Sequence, residues 1–259
     1  MRLTATALLL AATGLLGGAA PAQQEATWLD QLGRVEEPRS EVPFAEYRRF
    51  PGGEEPQLLI GTGLYTKTFL AIKIYAFGFY VEPEGAAQAL ARWQGASERE
   101  RRKDKGFYHD LWAGDFAKSV RWILCRNVDG DDVAEAFDDV LGPRLKRLAK
   151  TSSRAEAAAA ERAMGAFRAY FDAELRKGME ATFTWHPGGR LVTQIDGEVV
   201  GSLESDNLCR ALFACYLDDD PLDDDAKEGF SGCVDRVSRA AATEAAQRPA
   251  QPASPPGTR

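Results

Sequence analysis

The sequence predicts an α+β fold, a sheet with a layer of helices, and three observations carry that prediction. Residues 66–82 form an aromatic and β-branched run with no proline until Pro83. Apolar residues recur at helical spacing through residues 133–141 and 157–175. Between residues 182 and 195, two strand-like runs flank His186-Pro187-Gly188-Gly189, which has the chemistry of a hairpin turn.

At the N-terminus, Arg2, an apolar run over residues 5–16 and Ala20-Pro21-Ala22 have the charged, apolar and Ala-x-Ala layout of a secretory signal peptide. Cleavage is expected after Ala22, giving an exported protein, periplasmic or secreted, with no membrane span after cleavage. The expected boundaries are 1–22 for the signal, 23–240 for one folded domain and 241–259 for a disordered tail rich in Ala, Gln and Pro. A formal net charge of -7 opposes binding to nucleic acid or to an anionic membrane surface. The basic cluster Arg99, Arg101, Arg102, Lys103 and Lys105 is interleaved with Glu98, Glu100 and Asp104, and reads as a solvated helix or loop.

Trp28, Leu29 and Leu32 suit one amphipathic turn; Pro38 and Pro43 then bound an extended piece with Phe44, Tyr47 and Phe50. Pro51-Gly52-Gly53 turns the chain into a first strand near Leu58. Gly61-Thr62-Gly63 reads as a further turn, and residues 66–82 as one long central strand. Alternation puts Phe69, Ala71, Lys73, Tyr75, Phe77, Phe79 and Val81 on one face, with Leu70, Ile72, Ile74, Ala76, Gly78 and Tyr80 on the other. Both faces are mostly apolar, so helices must cover at least one of them. Lys73 is the exception: either its stem carries the ammonium to water, or the ammonium meets an anionic ligand inside a cleft.

Residues 84–93 have helical spacing, with Ala87, Leu90 and Ala91 inward. Residues 116–126 alternate, Val120, Trp122 and Leu124 on one face and Ser119, Arg121, Ile123 and Cys125 on the other. Asp129-Gly130-Asp131 caps a helix striped by Val133, Phe137, Val140 and Leu141 and expected to break at Gly142-Pro143. Ser152 or Ser153 caps the next, whose stripe runs from Ala157 to Leu175 and ends before Gly178. A late helix over 207–217 buries Leu208, Ala211, Leu212 and Cys215, and the acidic loop around Pro221 is expected to be solvated.

Metal and nucleophile chemistry find little support. With Gly130 at the sixth position of a calcium loop, the first ligand would be Cys125 and the twelfth Ala136, which excludes that loop. His109 and His186 stand at no telling spacing from Cys or Asp, which argues against zinc sites and hydrolase triads. No cofactor is expected. Of the four cysteines, Cys209 and Cys215 lie about 9 Å apart along a helix and cannot pair. If the Pro221 loop joins two antiparallel helices, Cys209 comes level with residues 231–233. A Cys209–Cys233 disulfide is then expected, with Cys125 and Cys215 buried or unpaired.

Four segments resemble the chalcone isomerase superfamily, in particular its bacterial chalcone isomerase-like branch. They are Leu59-Ile60-Gly61-Thr62-Gly63-Leu64, then Lys73-Ile74-Tyr75-Ala76-Phe77-Gly78-Phe79-Tyr80-Val81-Glu82, residues 119–124 with the helix from Asp131, and residues 201–217 with Asp220-Pro221. The resemblance covers about residues 55–235 and marks a fold more than a reaction. It implies an open-faced sandwich: a large, mainly antiparallel sheet covered on one face by helices of residues 131–177 and 205–217.

The plant enzymes of the superfamily close a hydroxychalcone to a flavanone, and their pattern holds the reacting oxygens with an Arg, a Thr, a Tyr, an Asn and a late Ser or Thr. Laid over this chain, those positions are Tyr65, Tyr75, Val133, Val140 and Cys209. None keeps its group. A neutral Tyr does not replace a fixed cation beside a developing oxyanion, and Val donates nothing. The superfamily's noncatalytic fatty-acid-binding branch holds a carboxylate with Arg and Tyr; here Lys73 with Tyr65 and Tyr75 is the expected, weaker anchor. The resemblance therefore implies an exported, noncatalytic protein binding a small apolar or carboxylated ligand, such as a fatty acid, in the family cleft. A scaffold or partner-binding domain with a filled cleft is the alternative, and an intramolecular lyase the third reading.

Overall fold

The computed structural model describes residues 33–53, 55–67 and 71–247. Strands β1 (Arg34–Glu36) and β2 (Pro43–Ala45) pair as a small hairpin. Then β3 (Tyr47–Arg48), β4 (Gln57–Lys67), β5 (Ile72–Val81), β6 (Lys118–Leu124), β7 (Glu180–His186), β8 (Arg190–Ile195) and β9 (Glu198–Glu204) form one sheet in that order. Every neighbouring pair is antiparallel, as expected. The α-helices are α1 (Pro83–Ala89), α2 (Glu98–Lys103), α3 (Lys105–Ala113), α4 (Gly130–Leu148), α5 (Arg154–Arg168), α6 (Asp206–Ala214), α7 (Asp224–Phe230) and α8 (Val234–Gln247). Among the described residues no helix is long and apolar enough to cross a membrane.

Both faces of the sheet are apolar, and each has its own cover. Phe77, Phe79, Val120, Trp122 and Phe183 pack under helices α4 to α7. On the opposite face Leu59, Leu64, Ala76 and Tyr80 meet Phe44 and Phe50 of the lead-in. The Tyr80 hydroxyl donates to the Ala45 carbonyl at 3.0 Å and pins that segment down. The α4 and α5 starts follow their caps: Asp129 accepts from the Asp131 amide, and Ser153 with Glu156 forms a capping box.

Several expectations are corrected. Residues 66–82 are not one strand: β4 ends at Lys67, which pairs with Ile72 of β5, and Ala71 between them has φ 49°. Phe69 and Leu70 lie outside the described residues. Gly61-Thr62-Gly63 is strand rather than turn. A Cβ at Gly61 would stand 2.6 Å from the Phe230 ring, and one at Gly63 2.6 Å from Ala226, so these glycines let α7 rest directly on β4. α4 runs through Pro143 to Leu148, with Pro143 on its exposed side, so the proline ring costs one backbone hydrogen bond without entering the core. α5 stops at Arg168, well before Gly178; Leu175 instead exchanges two backbone hydrogen bonds with Val128, each 2.9 Å. α8 continues to Gln247, past the boundary expected at residue 240. The signal segment, Trp28, Leu29, Leu32 and residues 248–259 lie outside the described residues.

The charged segments are also more structured than expected. Arg101 is buried and donates to the carbonyls of Ser231, Trp93 and Ala96. In the acidic loop, Asp218 engages Arg144 and Arg147, and Asp223 is buried, accepting from the Leu64 amide at 2.8 Å and from Arg39.

All four cysteines are free, so the expected Cys209–Cys233 disulfide is absent. Its premise was a helical hairpin. Instead the short α7 packs on β4 and the chain turns again at Gly232-Cys233 into α8, which packs on α1. The Cys209 thiol faces the Gly189 carbonyl at 3.4 Å.

Candidate functional site: a cavity between the sheet and two helices

Where β4, β5 and β6 pass under α4 and α6, the packing leaves a cavity of about 230 Å³. Its floor is aromatic. Tyr75 stacks on Trp122 with ring centroids 4.0 Å apart, and Tyr65 lies 5.1 Å from Tyr75 across the β4–β5 pair. The roof is one face of α4, Val133, Ala136, Phe137, Val140 and Leu141, which helical periodicity brings into a single stripe. Leu212, Cys215 and Tyr216 close one side, and Leu175 and Leu222 complete the apolar lining. Lys67, Arg126, Asn127, Asp129 and Asp132 are the exposed lining residues and form the mouth.

Polar groups inside are few and neutral. The Trp122 indole N–H donates to the Tyr216 hydroxyl at 2.8 Å, and the Cys215 thiol to the Ala211 carbonyl at 3.2 Å. Burial pushes the Tyr75 and Tyr216 hydroxyls well above the ordinary tyrosine value and the Cys215 thiol up to about 12, so all three stay protonated near neutral pH. The cations stand at the mouth. Asp129 is occupied as the α4 cap and Asn127 bridges Glu174 and the Lys177 amide, while Arg126 makes no ion pair among the described residues. Also among the described residues, no three His, Cys, Asp or Glu side chains are placed to hold a metal.

Four of the six expected cleft residues, Tyr65, Tyr75, Val133 and Val140, line this cavity together. Lys73 does not. The β4–β5 register slips between Tyr65 and Thr66, which face Tyr75 and Lys73, so Ile74 is an extra residue in β5. That bulge breaks the alternation. Ile74 and Tyr75 both reach the cavity, and Lys73 falls on the opposite side, donating to the Arg39 carbonyl. Cys209 also lies elsewhere, buried against the β7–β8 turn, and Cys215 takes the place by the cavity. The cleft encloses open space between its floor and roof. Alternation groups Trp122 with Val120 and Leu124 on one strand face without saying which face is inward, and nothing in the spacing marks Tyr216, just past α6, or Lys67 and Arg126, at two strand ends, as belonging to a site.

A seven-stranded antiparallel sheet roofed by helices over one cleft is the chalcone isomerase-like fold, and comparison with known proteins agrees. Residues 111–232 match the family model described as chalcone isomerase-like. A crystal structure of a fatty-acid binding protein of Arabidopsis thaliana superposes with a TM-score of 0.67 at 25% identity, covering 80% of this chain and 100% of that one. Fatty-acid-binding protein 2 of Arabidopsis thaliana is 31% identical over 212 residues, 77% of this chain and 50% of its own length. The match to chalcone–flavanone isomerase of Oryza sativa subsp. japonica is 28% identical over 213 residues, 78% of this chain and 90% of that enzyme. The chain has the chalcone isomerase-like fold and is similar to that family, whose model matches residues 111–232. It spans about half the length of Fatty-acid-binding protein 2 and 62% of Fatty-acid-binding protein 1.

Proposed function

We propose that the protein is a noncatalytic binder of a small apolar ligand, with a fatty acid as the class that fits best. The observation that carries this reading is the cavity, which has an apolar roof and sides, neutral hydroxyls on its floor and its cations, Lys67 and Arg126, at the mouth. An acyl chain gains by leaving water for such a lining, and its carboxylate keeps both hydration and an opposite charge at the entrance. At about 230 Å³ the space is just below the range common for drug-sized ligands, which suits a slender chain more than a fused ring system. The fatty-acid-binding relatives support the same class. The loss of the isomerase groups at Tyr65, Tyr75, Val133, Val140 and Cys209 supports a noncatalytic role, as in the bacterial branch the sequence resembles.

Mass spectrometry of organic extracts from natively purified protein identifies a retained ligand, and titration with a fatty acid and its matching alcohol tests the anchor. Lys67→Gln combined with Arg126→Gln weakens the acid about tenfold and leaves the alcohol unchanged. Equal binding of acid and alcohol by the unmodified protein removes both cations from the site; failure of either to bind removes the cavity from the function. Export is part of the same reading, and N-terminal sequencing of the mature protein should start at Gln23.

A further inference from the structure

We propose a second binding site, for a small phosphorylated ring compound, in a groove of about 470 Å³ bounded by α3, the C-terminal half of α4, the end of α6 and α7. It is separate from the cavity already described. The last residues of the α6 segment divide between the two spaces, Cys215 and Tyr216 facing the cavity and Ala214 and Leu217 the groove. On α4, Val140 faces the first and Arg144 the second.

One wall of the groove is aromatic: Tyr108, His109 and Trp112 share a side of α3. Lys105 of the same helix and, facing it, Arg144, Arg147 and Lys227 share the groove with only two lining carboxylates, Asp218 and Asp219. Those carboxylates are heavily shared. Arg144 takes both oxygens of Asp218, with Nε and Nη2 each at 2.9 Å, and Arg147 reaches Oδ2 of the same group at 2.9 Å. Lys105 uses Asp219 at 2.6 Å. Lys227 makes no ion pair among the described residues; its ammonium donates to the Asp218 carbonyl at 2.7 Å and stands 4.7 Å from the Tyr108 ring.

The groove thus gathers an excess of cations from three helices in a chain whose formal charge is -7. Mutual repulsion opposes such a gathering, and a phosphate relieves it by accepting from Arg147, Lys227 and Lys105 at once. The aromatic side chains beside those cations, Trp112 with His109 set edge-on to it at 79°, supply what a bare anion does not use, an apolar contact for a ring.

Isothermal titration of the full chain with phenyl phosphate, inorganic phosphate and phenol tests this. Phenyl phosphate is expected to saturate one site, to bind more tightly than either fragment, and to weaken with added salt. Arg147 is 60% exposed, so Arg147→Gln with Lys227→Gln should leave the fold intact and weaken phenyl phosphate about tenfold or more. Val133→Trp, which fills the first cavity, should leave it unchanged. The site is excluded if phenyl phosphate gives no saturable heat, if its binding survives the double variant, or if Val133→Trp abolishes it. Equal affinity for inorganic phosphate excludes the role of the aromatic wall.

Discussion

Along β5, Phe77, Phe79 and Val81 are buried in a closed apolar core, whereas only two residues before Phe77, Tyr75 looks into open space of about 230 Å³. The closed half is aromatic on every side. The Phe79 ring meets Phe213, Phe230 and Tyr216 at centroid distances of 5.7, 5.4 and 6.2 Å. The open half differs by one inserted residue, Ile74, which swings Lys73 away and lets α4 bridge the floor without filling the space beneath it. Regular alternation gives a packed core; a single bulge in the same strand opens room for a ligand.

The largest effect expected from this contrast is on stability. Phe79→Ala should lower unfolding free energy by about 3–5 kcal/mol, while Ile74→Val, a truncation beside the cavity, should lower it by only about 0.5–1.5 kcal/mol. Chemical denaturation of both variants measures the difference, and similar losses would mean that the two halves of β5 are packed alike.

The closed half also holds the one buried lysine. Lys118 donates to the carbonyls of Trp112 and Gly114 at 3.1 and 2.6 Å and lies 4.1 and 4.2 Å from the Phe116 and Trp185 rings. Burial pulls its pKa down from 10.5 to about 7. Between those values the unfolded chain holds a proton that the folded chain has shed. Stability therefore rises with pH across this window, by at most about 1.4 kcal/mol per pH unit, and is lowest toward pH 7 and below. Lys118→Met should flatten that part of a denaturation midpoint against pH curve; an unchanged slope would assign it to other groups.

Filling the two halves should have opposite consequences. Val133→Trp projects into open space, so it should abolish fatty-acid binding with a stability change within about 1 kcal/mol. Val81→Phe enlarges a fully buried position of the closed half and should cost about 1–3 kcal/mol while leaving binding intact. Retained binding in Val133→Trp would separate the ligand from this cavity.

The same contrast explains what the sequence makes legible. Phe77, Phe79, Val81, Val120, Trp122 and the α4 stripe obey a fixed period, so their burial and the α+β architecture follow from spacing alone. Tyr65, Tyr75, Val133 and Val140 come with the resemblance because they sit on those regular elements. Lys73 is misplaced because a bulge leaves no mark in composition, and because the end of β4 at Lys67 and the start of β5 at Ile72 fall within one strand-like run. Lys67 and Arg126 are brought to one mouth by strand pairing across a long sequence separation, which no local pattern encodes. Gly61 and Gly63 mimic a turn, but the helix resting on them is far away in the chain.

The smallest effect expected concerns the thiols, which mark both halves. Cys209 and Cys233 are buried outside the cavity, Cys215 lines it and Cys125 lies across the sheet, and all four are free. Loss of a disulfide from an exported domain of modest size typically removes about 2–5 kcal/mol. A reductant should therefore shift the denaturation midpoint of this protein hardly at all. Burial raises the Cys215 and Cys233 thiols to about 12, so few thiolates form near neutral pH and alkylation of the native chain should be slow at both sites. Cys125, half-buried, should react first. A reductant-dependent fall in stability together with a mass lower by two hydrogens would restore a disulfide, and Cys209 to Cys233 would be the first pair to test by peptide mapping.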